Sequence, residues 1–151
     1  MMETVKKTHH ELAVELFNRT WDLMDKQDRT PAETDEMIHA AHASRYHWGI
    51  AGEPHHWQRG EWQVSRTYAV VGHAQSCLFH AQRCMALTEE HAIGGFDLAF
   101  AHEALARAYS LLGDAQMMEK HLSLGKETAE KIKDKDDKEY TLGELNHIKI
   151  E

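Results

Sequence analysis

The chain of 151 residues has few of the residues that interrupt helices. It contains only two prolines and nine glycines, which leaves room for long helices. Alternating runs rich in valine, isoleucine and threonine, which would indicate strands, are absent from the sequence. No stretch approaches about 18 consecutive apolar residues, and the N-terminus has no apolar signal core, so we expect neither a membrane span nor secretion.

Cysteine and positive charge are also scarce. The two cysteines, Cys77 and Cys84, are seven positions apart, which on one helix separates them by about 10 Å along the axis, too far for a disulfide. We expect two buried thiols in a reducing cytoplasm. The formal net charge of −8 argues against nucleic-acid binding, because phosphate contacts need a basic surface.

Motifs for catalysis and metal binding are absent from the sequence as well. It contains no glycine-rich phosphate loop, no Gly-x-Ser-x-Gly elbow, no His-Glu-x-x-His and no Cys-x-x-Cys. The sequence therefore favours a protein that is not an enzyme and that needs no cofactor.

What the sequence does have is an internal repeat. The stretch SRTYAVVGHAQ at Ser65–Gln75 returns 41 residues later as ARAYSLLGDAQ at Ala106–Gln116. A repeat with this period is typical of stacked helical hairpins. The residues that recur are Arg66, Tyr68, Gly72, Ala74 and Gln75, matched by Arg107, Tyr109, Gly113, Ala115 and Gln116.

Capping signals and glycine turns place the helices. The segment Thr30–Glu33 predicts a capping box, and Thr8–Glu11 and Asp136–Glu139 predict two further helix starts. Gly72 and Gly113 mark hairpin turns. We predict an all-α fold, a right-handed α-α superhelix of about three antiparallel helical hairpins plus a C-terminal helix. The hairpins cover residues 8–51, 55–92 and 95–133, and the final helix covers 137–148, within a single domain of residues 1–151.

The segments Val64–Cys84 and Leu105–Gly125 resemble tetratricopeptide repeats. In Leu105–Tyr109, followed by Leu112–Asp114, the chain matches the family's leucine-small-x-x-tyrosine segment and its Leu-Gly-Asp turn. Two features depart from the family: the period is longer than about 34 residues, and the closing proline is absent. The resemblance, which extends to small bacterial proteins of this type, implies a binding role in the bacterial cytoplasm and a groove lined by the first helix of each hairpin.

Residues spaced i, i+3 and i+7 on the third helix share one face, which would line this groove. Arginine forks bind carboxylates and phosphates, and tryptophan adds apolar contact area. An alternative is that the arginines and a glutamate only form ion pairs between helices. The candidate binding residues are Arg59, Trp62 and Arg66, with Phe100, Glu103 and Arg107 at the matching positions one repeat later.

Two further groups of polar and aromatic residues invite a functional interpretation. Arg45, His47 and Trp48 end the second helix beside a Gly/Pro loop, where they would form either a pocket rim or a packed hairpin corner. Among 13 histidines, His42, His80 and His121 are repeat-equivalent. Such residues form a ladder at helix spacing and do not converge on one ion, so we predict no metal site.

The sequence as a whole predicts an interaction or scaffold module that binds a peptide or a partner protein in a helical groove. The alternative is a sensor or carrier of a small anionic ligand that uses an Arg/Trp-lined pocket. A histidine-based metal-binding helical protein is a distant alternative. Self-association would require an apolar stripe on the outer face of the last helix, and the sequence leaves that question open.

Overall fold

The computed structural model describes residues 2–150, which form seven α-helices joined by short turns. No strand occurs among these residues, so the all-α class is confirmed. Successive helices pack as the predicted hairpins, α1 with α2, α3 with α4 and α5 with α6, and α7 packs on α5 and α6. The helices are α1 Met2–Asp25, α2 Pro31–Ala51, α3 Pro54–Val70, α4 Ala74–Glu90, α5 Gly95–Leu112, α6 Ala115–Glu130 and α7 Lys135–Asn146.

Two predicted helix-end signals, the capping box before α2 and the glycine after α5, are confirmed. The Thr30 hydroxyl accepts a hydrogen bond from the backbone N–H of Glu33 at 3.1 Å, and the Glu33 carboxylate accepts one from the backbone N–H of Thr30 at 3.0 Å. This reciprocal capping box satisfies two amide groups that the first turn of α2 cannot bond. Gly113 ends α5 at φ 75°, in the left-handed region that glycine adopts without strain.

Two predicted helix starts were wrong. The Thr8 hydroxyl donates to the carbonyl of Thr4 at 3.0 Å inside a helix that already runs from Met2, so it caps nothing and the first hairpin begins before residue 8. At the other end, the carboxylate of Asp134 accepts a hydrogen bond from the amide of Asp137 at 2.9 Å and starts α7 at Lys135. The nearest upstream carboxylate determines the start of that helix.

The helices form two layers with different spacing. Consecutive odd-numbered helices contact one another, whereas in residues 2–150 no Cα atom of α2, α4 or α6 lies within 8 Å of another of these three helices. The stack is therefore narrower on the side of α1, α3, α5 and α7, which we call the inner face. The inner face consists of the helices that the repeat resemblance assigns to a groove. The handedness of the stack stays a prediction.

Small residues allow the helices to pack closely. Ala99, Ala106 and Ala129 are fully buried, and a Cβ added to Gly125 would lie 3.0 Å from a methyl group of Leu145 on α7. Cys77 and Cys84 are free and fully buried, and burial raises the pKa of both thiols. As far as residues 2–150 are concerned, no helix is long and apolar enough to cross a membrane.

Candidate functional site

The inner face carries a cavity of about 240 Å³, which we call the aromatic pocket. Every residue that lines it belongs to an odd-numbered helix, so all four inner helices contribute to one site. The lining residues are Phe17 and Trp21 from α1, Gln58, Arg59 and Trp62 from α3, Phe96, Asp97 and Phe100 from α5, and Tyr140 from α7.

The rings of this pocket form a continuous wall. Ring centroids are 5.7 Å apart between Trp21 and Trp62, 5.7 Å between Trp62 and Phe100, and 5.9 Å between Phe100 and Tyr140. These separations lie within the range of about 4.5–7 Å that aromatic pairs prefer. Phe100 is only 7% exposed and Tyr140 is 53% exposed, so the wall runs from a buried floor to an open rim.

The charged groups and the Gln58 amide N–H groups of the aromatic pocket already have partners within the chain. Arg59 donates from Nε and Nη2 to the two carboxylate oxygens of Asp97 at 2.9 and 3.2 Å. The amide of Gln58 donates to the Asp97 carbonyl at 2.8 Å and to the Thr88 hydroxyl at 3.1 Å. The recognition surface that remains is therefore mainly the apolar faces of the rings.

Below this wall lies Glu103, a fully buried carboxylate. Its Oε2 accepts a hydrogen bond from the indole N–H of Trp62 at 2.8 Å. Its Oε1 accepts from Nε of Arg107 at 2.9 Å and from Nη1 of Arg66 at 3.4 Å. The ion pairs that the sequence left as an alternative are thus present, and the pair of Arg66 with Glu103 joins α3 to α5.

The same two arginines line a second cavity of about 180 Å³, which we call the cationic pocket. It opens where α3 and α5 end and is completed by the segment after α7. Within residues 2–150 no carboxylate lines it. The lining residues are Arg66, Ala69, Val70, Arg107, Ser110, Leu111, His147, Ile148 and Lys149.

The structure thus divides the six predicted binding residues between two pockets. Arg59, Trp62 and Phe100 line the aromatic pocket, and Arg66 and Arg107 line the cationic pocket. Glu103 lines neither and is bonded to residues of both. Repeat-equivalent residues do meet side by side, as Trp62 with Glu103 shows.

Sequence reasoning missed part of both pockets. Trp21 stands 41 residues before Trp62, the interval of the internal repeat, and this spacing could have identified it. Tyr140 and Lys149 lie outside the repeat, and no sequence signal points to them. The residues missed include Phe17, Trp21, Gln58, Phe96, Asp97 and Tyr140 in the aromatic pocket and Ser110, His147 and Lys149 in the cationic pocket.

Arg45, one of the three candidate rim residues, binds inside the stack. Its Nε donates to Glu61 Oε2 at 2.7 Å, and the other oxygen of Glu61 lies 2.8 Å from Nδ1 of His80. Burial alone would raise the pKa of Glu61, but the hydrogen bonds from His80 and Arg45 outweigh it and the pKa is lowered. Arg45 crosses α3 at Gly60, where an added Cβ would lie 2.8 Å from its Cδ. This cluster connects α2, α3 and α4.

The other two rim candidates pack at the hairpin corner. Trp48 is only 8% exposed and stacks on His56 with ring centroids 4.2 Å apart. Nδ1 of His47 lies 2.7 Å from Nδ1 of His9 on α1. Neither residue lines the aromatic or the cationic pocket. These contacts correspond to the packed hairpin corner, which was the alternative to a pocket rim.

The repeat-equivalent histidines separate into two places. The rings of His42 and His80 lie 5.3 Å apart, and both contact Tyr68. His121 instead faces His102, with their Nδ1 atoms 3.0 Å apart. In the part of the chain that the structure describes, no group of three His, Cys, Asp or Glu side chains is arranged to hold a metal ion.

The histidine pair of the third hairpin makes stability depend on pH. Burial, followed by the charge of His121, lowers the pKa of His102 from 6.5 to about 4. Below pH 6.5 His102 is protonated in the unfolded chain, whereas in the folded chain it stays neutral until about pH 4. His102 therefore does not reduce the free energy of unfolding above pH 6.5. Between pH 6.5 and 4 it reduces the free energy of unfolding by roughly 1–3 kcal/mol, the range for a partly buried group.

Urea unfolding at pH 7.5, 6, 5 and 4 measures this loss in the parent and in His102→Asn. The difference between the two free energies of unfolding should shrink as the pH falls, because asparagine takes up no proton in either state. The carboxylates contribute equally to both chains, so they cancel from the difference. A difference that is constant across the series would contradict the prediction.

No family model, curated protein or solved structure matches this chain. The resemblance to tetratricopeptide repeats therefore stays a prediction, which rests on the internal repeat and on the hairpins.

Proposed function

We propose that this protein is a non-enzymatic interaction module of the bacterial cytoplasm that binds an exposed segment of a partner protein on its inner face. The observation that carries the proposal is the wall of aromatic rings that α1, α3, α5 and α7 build together. Tryptophan and tyrosine are enriched among the residues that dominate binding energy. Tyr140 leaves about half of its surface exposed for a partner.

Cavity size favours a peptide over a metabolite. The two pockets have volumes of about 240 and 180 Å³, below the 300–1,000 Å³ or so that is usual for sites of drug-sized ligands. Each volume suits one side chain of an extended segment. A small anionic ligand remains the second candidate. It would use Arg66 and Arg107 without Trp62, because the indole lines the other pocket.

Selection from a displayed random peptide library, with the purified protein as bait, tests the proposal. We expect selected peptides to share an aromatic or large aliphatic residue. Trp21→Ala and Tyr140→Ala should each weaken their binding about tenfold or more, since truncation of an interface hot spot costs about 2 kcal/mol. Tyr140 is half exposed, so its variant should keep its melting temperature, which separates binding from folding.

Phe79→Ala is the matched control, because Phe79 is a similarly exposed aromatic residue on α4, outside the inner face. It should bind the selected peptides as the parent does. Peptides that bind Tyr140→Ala and Trp21→Ala as tightly as the parent, or a selection that enriches nothing, would contradict the proposed function.

A further inference from the structure

The described residues that line the cationic pocket carry an excess of positive charge. Arg66 and Arg107 share one carboxylate, that of Glu103, so the three groups together carry one positive charge. Lys149 adds a second, and no ion pair between residues 2 and 150 involves it. The chain as a whole carries a formal charge of −8, so a pocket whose lining holds Arg66, Arg107 and Lys149 and, within residues 2–150, no carboxylate is a local exception.

Both arginines keep donor groups for a ligand. Nε and Nη2 of Arg107 bond Glu103, and only Nη1 of Arg66 contacts it. Within residues 2–150 the remaining guanidinium N–H groups make no hydrogen bond, and the side chains of Arg107 and Arg66 are 22% and 25% exposed. The Ser110 hydroxyl donates to the carbonyl of Lys149, which holds the end of the chain against α5. Three cationic side chains thus line one small space.

The two pockets lie along the same helices at a short separation. Trp62 and Arg66 are one turn apart on α3, and Phe100 and Arg107 are two turns apart on α5. At 1.5 Å per residue these steps are about 6 and 10 Å. An extended peptide covers this distance in two or three residues, at about 3.3 Å each.

We propose that the cationic pocket receives a phosphorylated side chain of the same partner segment that anchors an apolar side chain in the aromatic pocket. This inference rests on the proposed function and names the chemistry of the partner. The partner is a protein segment with a phosphorylated residue two or three positions from a large apolar residue.

Charge and geometry favour a phosphate over a carboxylate. A phosphorylated side chain carries a charge of about −1.5 to −2 at pH 7, which matches the excess of two positive charges. Its three terminal oxygens can meet Arg66, Arg107 and Lys149 at once, whereas a carboxylate has two oxygens. The volume of about 180 Å³ leaves space for the phosphate group of one side chain and little more.

Inorganic phosphate probes the site directly. In an NMR titration at pH 7, the side-chain Nε–H signals of Arg66 and Arg107 should shift with phosphate at millimolar concentration. Those of Arg19 and Arg59, which pair with Glu36 and Asp97, should stay in place. Absence of a shift, or equal shifts at all four arginines, would overturn the inference whatever the peptides do.

Fluorescence anisotropy with synthetic peptides tests the spacing and the chemistry. The probes are labelled eight-residue libraries with one fixed leucine or tryptophan and, two or three positions away, phosphoserine, serine or glutamate. We expect the phosphoserine libraries to bind at least tenfold more tightly than the serine libraries and clearly more tightly than the glutamate libraries. Equal binding of phosphoserine and glutamate would overturn the assignment to phosphate.

Two charge-reversal variants, one in the cationic pocket and one control outside it, test the role of the pocket without changing Glu103. Lys149→Glu should remove the tenfold advantage of the phosphoserine libraries over the serine libraries. Lys135→Glu makes the same change of charge at an 85% exposed site on α7 and should keep the advantage. Persistence of the advantage in Lys149→Glu would contradict the inference.

The outcomes separate this inference from the proposed function. If the serine libraries bind, and Trp21→Ala abolishes that binding, but phosphorylation adds nothing, the proposed function stands and the phosphate site is wrong. If no library binds while inorganic phosphate still shifts the arginine signals, the pocket binds a small anion and both proposals about a partner segment are wrong.

Discussion

Glu103→Ala is expected to lower the free energy of unfolding by about 3–5 kcal/mol, the usual cost of removing one partner of a buried ion pair. The carboxylate is fully buried and is the common acceptor for Trp62, Arg66 and Arg107. Without it, an indole N–H and two half-buried cations lose their acceptor between α3 and α5. Urea unfolding, with the midpoint and slope recorded, measures the loss.

Glu36→Ala is the matched control, because this glutamate also binds an arginine, but on the surface. The side chains of Arg19 and Glu36 are 45% and 47% exposed, and exposed pairs contribute less than about 1 kcal/mol. A loss below 1 kcal/mol for Glu103→Ala would mean that the network contributes little to the stability of the stack. The two arginines would then be available for a ligand without a structural role.

Leu145→Ala is expected to cost about 2–5 kcal/mol, as is typical of truncating a fully buried leucine. Leu145 packs with Met118 and Leu122 of α6 and fits against Gly125. It holds α7 in place, and α7 positions Tyr140 in the aromatic pocket and leads to Lys149 in the cationic pocket. The variant should therefore lose both peptide binding and phosphate binding.

Hydrogen exchange separates a local from a global effect of this variant. Amide protection should fall first in α7, since among residues 2–150 the backbone of that helix packs on α5 and α6 alone. Leu124→Ala, a change of the same size at a 36% exposed position on α6, should cost less than about 0.5 kcal/mol and preserve binding. Undiminished binding by Leu145→Ala would show that α7 is not needed for either pocket.

The sequence predicted the architecture well because a repeat relates sequence positions to neighbouring positions in space. The 41-residue interval placed Trp62 beside Glu103 and Arg66 beside Arg107, and the structure brings both pairs together. The helix ends were predicted where a cap is local, as at Thr30. They were missed at Thr8, where a hydroxyl that could cap a new helix bonds a carbonyl within an existing one.

The spacing of residues along the sequence could not show that the predicted site is divided between two pockets. Helical periodicity shows which residues share a face, but it does not show which donor bonds which acceptor. The spacing would also allow Glu103 to be a solvent-exposed groove residue. In the structure it is buried against α3 and is the common partner of Arg66 and Arg107. The same limit applies to Arg45, whose partner Glu61 is 16 positions away on another helix.

By itself, the sequence determined that this protein is a stack of helical hairpins and which residues lie at equivalent levels of its inner face. These properties follow from local capping, helical periodicity and a regular repeat. Only the tertiary structure decided that the inner face holds an aromatic pocket and a separate cationic pocket. Both pockets need side chains from α7 and the segment after it, outside the repeat, and hydrophobic packing around Leu145 brings those side chains to α3 and α5.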